Sequence, residues 1–171
     1  MKVGEVTRPF ANWRFVVRDA KTGKVLKELK RRNVLTTVVK NYFAQAYGNG
    51  TFQYDYGEGS VRFHWYLVLG TGTGTPSESD TDLFSPVPSS AKTGTITVSD
   101  NTVQFYVRYM PEEANGYTYT EAGIFDHCTQ DTGDPSSDYT SGQLINHVLI
   151  DPSVTKDSSI VLDVYVTITF P

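Results

Sequence analysis

The chain of 171 residues holds one cysteine, two methionines, two tryptophans and three histidines. A lone Cys128 excludes an intrachain disulfide, and with His64, His127 and His147 scattered along the sequence it cannot complete a cysteine-rich zinc site. No apolar run approaches the ~18 residues that a membrane-spanning helix needs. The opening MKVGEVTRPF also lacks the apolar segment of a secretory signal, so neither membrane insertion nor signal-directed export is expected. Alanine, leucine and methionine, the strong helix formers, are sparse, and no internal repeat is present. Stability is therefore expected from packing, within the chain or against partners.

Present instead are threonine, tyrosine, valine and phenylalanine, residues that suit pleated, half-buried surfaces. With 39% hydrophobic and 13% aromatic residues, the chain can build a core, and its length suits one domain over residues 1–171. The net charge of -4 conceals an asymmetry. Residues 1–40 carry eleven Lys and Arg against three acids, a net of +8, whereas the other 131 carry four against sixteen, a net of -12.

Residues 12–19 alternate Trp13, Phe15 and Val17 with Arg14, Val16 and Arg18, and residues 24–30 follow after A-K-T-G. This predicts a hairpin in which Gly23 supplies a positive φ and the basic residues face solvent. Together residues 1–32 are expected to act as a basic docking element. From Asn33, a good N-cap, Val34, Leu35, Val38, Val39, Tyr42, Phe43 and Ala46 fall on one stripe, predicting an amphipathic helix over 33–47 that ends before G-N-G. Residues 61–70 read as a central strand, and residues 71–90, rich in Gly, Thr, Ser and Pro, as a long connection. Residues 93–99 and 102–110 predict a hairpin around Asp100-Asn101. Residues 118–126, 143–150 and 158–170 predict three further strands, with a turn at Asp151-Pro152 and the last strand holding the C-terminal residues in the sheet. The expected fold is mainly β: an antiparallel sandwich of about eight strands with one helix near the N-terminus.

Chemistry is weakly marked. Gly70-Thr71-Gly72-Thr73-Gly74-Thr75-Pro76 invites a phosphate-loop reading, but no Lys follows and no helix begins there, while Glu78, Asp80 and Asp82 would repel phosphate. Asp126-His127-Cys128 are adjacent on a strand end and point to alternate sides, so they form no nucleophile relay. Asp131, Asp134 and Asp138 lack calcium-loop spacing. No catalytic residue, cofactor or metal is expected. The cations Arg14, Arg18, Lys24, Lys27, Lys30, Arg31 and Arg32 form the main electrostatic feature. They could guard an edge strand, contact nucleic acid, or pack against an acidic protein surface, including the acidic loops of another copy. The last is favoured over nucleic acid, since the rest of the chain supplies the opposite charge. Tyr54, Tyr56, Tyr117 and Tyr139 near loops could stack on sugars. Glu121, an acid within an apolar strand, is expected either to face solvent or to accept backbone or arginine donors from a neighbouring loop, a structural role being favoured over a binding one.

Three stretches carry a resemblance: YLVLGTGTGTP followed by SDTDL, with Gly70, Gly72, Gly74, Asp80 and Leu83; YTEAGIF, with Glu121 and Gly123; and the closing strand over 161–170. In this order they resemble tailed-bacteriophage virion proteins of the tail-collar, fibre and particle-surface group. There a helix precedes an ALGTGTTAPSASDTAL-like segment, an EAGLF-like strand and a final alternating strand. The resemblance spans most of residues 33–171, with Val39 or Lys40 where the family often has glycine and longer insertions at 48–60 and 127–142. It implies a non-enzymatic virion structural protein, assembled in the host cytoplasm, that associates with copies of itself, a trimer being one form, and docks on other virion proteins. The tail, collar or fibre apparatus is the expected position. A capsid decoration protein is the alternative, and a receptor or carbohydrate-binding module a further one.

Overall fold

A computed structural model describes residues 10–37, 39, 64–127, 134–138, 140 and 142–170. The protein is mainly β, built from two antiparallel sheets. Its strands in chain order are β1 (Phe10–Asp19), β2 (Val25–Val34), β3 (His64–Gly70), β4 (Lys92–Thr93), β5 (Thr95–Ser99), β6 (Thr102–Tyr109), β7 (Tyr117–His127), β8 (Gln143–Lys156) and β9 (Ile160–Thr169). The five-stranded sheet has the order β2-β1-β9-β6-β5, and the four-stranded sheet β4-β3-β7-β8.

The period-two alternation decides which faces meet. In β1, Trp13, Phe15 and Val17 point inward and are buried with Phe105, Val164 and Val166 of the same sheet. They pack against Leu67, Leu69, Ile124 and Val148 of the other sheet, a sandwich-like arrangement. The Trp13 Nε1 donates to Asn146 Oδ1 across the core at 2.6 Å, so the indole brings its polar atom inside with a partner. Gly23 has φ of 70° in the β1–β2 turn, as its place in A-K-T-G requires.

Two expectations are corrected. The helix does not begin at Asn33: β2 runs on to Val34, pairing with Phe10, and Leu35 continues the extended backbone with a bridge to Asn146. Ladder hydrogen bonds to β1 and the burial of Leu35 outweigh the capping preference of Asn33. Thr36 then donates its N–H to Ile145 O and its hydroxyl to Leu144 O, tying the chain to β8. Thr37 and Val39 are helical, and the rest of the expected helix, residues 38 and 40–47, lies outside the described residues. Nor does Asp151-Pro152 end a strand. It sits inside β8, where Tyr119 pairs with Val154 but Glu121 pairs with Leu149, so several residues of β8 bulge against Thr120. β8 is an edge strand, where a missing N–H is tolerated.

The outer faces differ. On the five-stranded sheet, Asp163 of β9 is fully buried beneath side chains from both neighbours. It accepts from Arg18 Nε at 2.8 Å, Arg108 Nε at 2.6 Å and the Tyr106 hydroxyl at 2.9 Å, joining β1, β9 and β6. Burial alone would raise its pKa; the hydrogen bonds from Arg108, Arg18 and Tyr106 prevail and hold it below the usual aspartate value. Tyr106 is pushed up to about 12 by burial and by this acceptor.

On the four-stranded sheet the outer face is covered by the 71–91 connection. Leu83 packs there with Tyr66, Val68, Phe125 and Leu144 as a second apolar cluster. Thr71 N–H donates to Ser85 O, and Val87 N–H to Leu69 O, closing the connection onto β3.

Asp163→Asn is expected to lower unfolding free energy by about 2–3 kcal/mol, the loss of charge-assisted bonds to two guanidinium groups. Urea denaturation followed by tryptophan fluorescence measures it, and an unchanged midpoint would show that the three partners do not depend on the charge.

Candidate functional site

The residues singled out by the resemblance converge at one place on the outer face of the four-stranded sheet. Gly70 of β3 lies opposite Glu121 of β7, and Gly123 lies between Val68 and His147 of β8. Glu121 is fully buried. Its Oε1 accepts from the N–H of Gly72 at 2.9 Å and of Ser85 at 2.7 Å. Its Oε2 accepts from the N–H of Phe84 at 3.0 Å and lies 2.8 Å from His147 Nε2. The opposite ring nitrogen, Nδ1, lies 2.7 Å from Asp80 Oδ2, which also accepts from Ser77 N–H. A neutral imidazole donates to one of these carboxylates, the imidazolium to both. The Phe84 ring covers His147, with centroids 4.7 Å apart.

The glycines provide the room. A Cβ on Gly70 or Gly72 would stand 2.5 Å from Glu121 Oε1. On Gly74 it would meet the Phe84 ring at 2.6 Å, and on Gly123 it would meet Leu144 and Leu83 at 2.7 and 2.9 Å. In the E-A-G triplet the acid therefore holds the connection, Ala122 enters the main core, and the glycine leaves the hole that Leu83 fills.

Burial pushes the Glu121 pKa up. Hydrogen bonds from His147 and from the Ser85, Phe84 and Gly72 amides overcome that and hold it below the usual glutamate value. Desolvating a carboxylate costs several kcal/mol, and charge-assisted bonds of about 1.5–3 kcal/mol each offset it only when several are made together. With both oxygens occupied by donors, the group acts as a clamp, not as a base awaiting a substrate proton. The glycine-rich connection does cradle an anion with its backbone amides, and that anion is the protein's own side chain.

The seven cations do not share one face. The register puts Arg14, Arg18, Lys30 and Arg32 on the outer side of the five-stranded sheet, whereas Lys27 and Arg31 oppose the inward Val17 and Trp13. This corrects the expectation of a single solvent-facing basic set: consecutive residues of a strand alternate sides, so the run Lys30-Arg31-Arg32 is split. Lys27 Nζ reaches over the sheet edge to Pro152 O and Ser153 O at 3.3 and 3.0 Å. Arg31 donates to Lys30 O, and Lys24 sits exposed in the turn. Arg18 is engaged by Asp163. Arg14 lies over the Tyr165 ring at 4.3 Å and Arg32 over Phe10 at 3.8 Å. A groove of about 680 Å³ crosses this face, lined in part by Asn12, Arg14, Lys30, Arg32, Gln104 and Tyr165.

Sequence reasoning did not single out His147, Asp163 or Lys156. Asp163 is a charge in the otherwise apolar first half of β9, the same signal that marked Glu121, whereas His147 and Lys156 stand among other polar residues of β8 and carry no such mark. Lys156 is fully buried and donates to Met110 O, Asn115 Oδ1 and Asp157 O at 2.9, 2.9 and 3.0 Å, holding the β6–β7 connection. Among the tyrosines considered for sugar stacking, Tyr117 is exposed and tilts against Tyr119, while Tyr54, Tyr56 and Tyr139 lie outside the described residues. Cys128 and Asp131 lie outside them too. Among the described residues, no cluster of three His, Cys, Asp or Glu is arranged to hold a metal ion.

Comparison with protein-family models, with curated proteins and with solved structures finds no match to this chain.

Glu121→Gln is expected to destabilise the fold by about 3 kcal/mol, because an amide group turns N–H donors toward backbone N–H donors. Since the folded pKa of Glu121 is depressed below 4.5, its stabilisation is complete above that value and is lost as pH falls through the folded pKa. Thermal melts between pH 7 and pH 3 should therefore fall less steeply for Glu121→Gln than for the parent chain. Gly72→Ala, which crowds the same oxygen, should show a similar loss at neutral pH.

Proposed function

We propose that this chain is a non-enzymatic structural protein of a tailed-bacteriophage virion, positioned in the tail, collar or fibre apparatus and docking through its basic N-terminal hairpin. The observation that carries this reading is the convergence of the resembling motifs. Segments separated by some 40 residues in the sequence, around Gly70–Leu83 and Glu121–Gly123, meet in one buried clamp whose work is to fix a long surface connection. Such an arrangement spends its most unusual residues on rigidity and not on an open reactive centre, as a particle component requires.

The docking part rests on charge. Arg14, Lys30 and Arg32 flank a groove on a sheet face, while residues 41–171 carry a net of -12. Acidic surfaces of further copies or of other virion proteins are the complementary partners. A place on the shell as a decoration protein would use the same charges against different neighbours, and a particle map separates the two positions.

Mass spectrometry of particles purified from infected cells should recover this chain in fixed stoichiometry with tail components. The double variant Arg14→Glu, Arg32→Glu should fold normally yet be depleted from particles at least tenfold. A chain absent from purified particles and free in the lysate would overturn the reading.

A further inference from the structure

β5 is the outermost strand of the five-stranded sheet, paired with β6 and, among the described residues, with no strand on its other side. All five of its residues, T-I-T-V-S, are exposed. Ile96 and Val98 oppose Phe105 and Val103 of β6 and share the side on which Phe105 enters the core, yet they remain 39% and 68% exposed. Edge strands are ordinarily protected by lysine, proline, a bulge or covering chain, because their outward N–H and C=O groups template further pairing. β5 carries no charge and no proline, and its register with β6 is unbroken.

The sequence of this edge is complementary to itself. Turned antiparallel about Thr97, T-I-T-V-S places Ile96 opposite the partner's Val98 and Thr95 opposite the partner's Ser99, with Thr97 facing its own copy. A two-fold axis through the sheet at Thr97 keeps the core-side faces of both copies on one side. The four exposed aliphatic side chains then cover one another, and hydroxyl side chains line up on the opposite face. No charge is brought against like charge within the paired strands, which removes the usual barrier to self-pairing of an edge.

We infer that β5 is a two-fold strand-pairing surface whose partner is β5 of a second copy, joining two five-stranded sheets into one continuous sheet. Five residues a side bury less than the ~800 Å² per partner of a standard interface, so the dimer forms with rising concentration and is not permanent. The inference stands apart from the virion reading, since it concerns the purified chain in solution, and it invokes backbone pairing and apolar contact where that reading invokes charge.

The test uses the full chain. Sedimentation across about 10 to 500 μM should show a dimer fraction that grows with concentration and survives 0.5 M salt. Val98→Lys, at an exposed position that should not disturb folding, should lower the association constant at least tenfold. In a Cys128→Ser background, Thr97→Cys should oxidise to a covalent dimer, because directly paired Cα atoms lie within disulfide reach. Thr22→Cys in the exposed β1–β2 turn should not. A parent chain monomeric at the highest concentration, or a dimer that Val98→Lys leaves intact, overturns the proposal. Failure of Thr97→Cys to cross-link in a chain that dimerises overturns the register and the proposal with it.

Discussion

The Glu121 carboxylate is the interaction on which the outer half of the four-stranded sheet depends. Left in an apolar strand without partners, it would oppose folding by several kcal/mol. Its donors come from Gly72, Phe84 and Ser85, so the chain can satisfy the charge only by laying the whole 71–85 segment across β3, β7 and β8. That placement brings Leu83 over Tyr66, Val68 and Phe125 and turns an exposed sheet face into a second core. His147 and Asp80 extend the same network to the far side of the connection. The order of cause runs from one buried charge to a folded surface.

Much of this was legible in the residues. Alternation in β1, β6 and β9 identified the strands and their inward faces, because period two is a direct geometric consequence of the pleat. Glu121 stood out because charge is rare within a strand buried on both faces. The same logic reaches Asp163 in β9, but not Lys156, which ends the polar run D-P-S-V-T-K and is buried only because the β6–β7 connection lies over it. What local sequence could not supply was competition between elements. Asn33 is a good helix cap in isolation, yet it also aligns with Ala11 on β1, and the ladder prevails. Pro152 reads as a breaker, yet an edge strand with a bulge accommodates it. The seven cations read as one face because their sequence is dense, and pairing with β1 divides them.

The charge asymmetry takes on geometry once Asp163 is considered. Arg18 and Arg108 share the single Asp163 carboxylate, so that cluster keeps one net positive charge, while Arg14, Arg32 and Lys30, the last beside Glu28, stand further along the same face. Positive charge therefore runs along this face from the Arg18 end to Arg14 and Arg32, and an acidic neighbour meets cations along its length.

The 71–91 connection has the composition of an interdomain linker, with Gly, Ser, Thr, Pro and acids and hardly any regular structure. A reader seeking a place to divide the chain, insert a tag or expect a protease cut would choose it first. Here it is a wall of the building. Severing it would bare Tyr66, Val68, Phe125 and Leu144 to water and strand a carboxylate inside apolar surroundings, so the amides that pin it, those of Gly72, Phe84, Ser85 and Val87, should exchange with solvent far more slowly than a linker's.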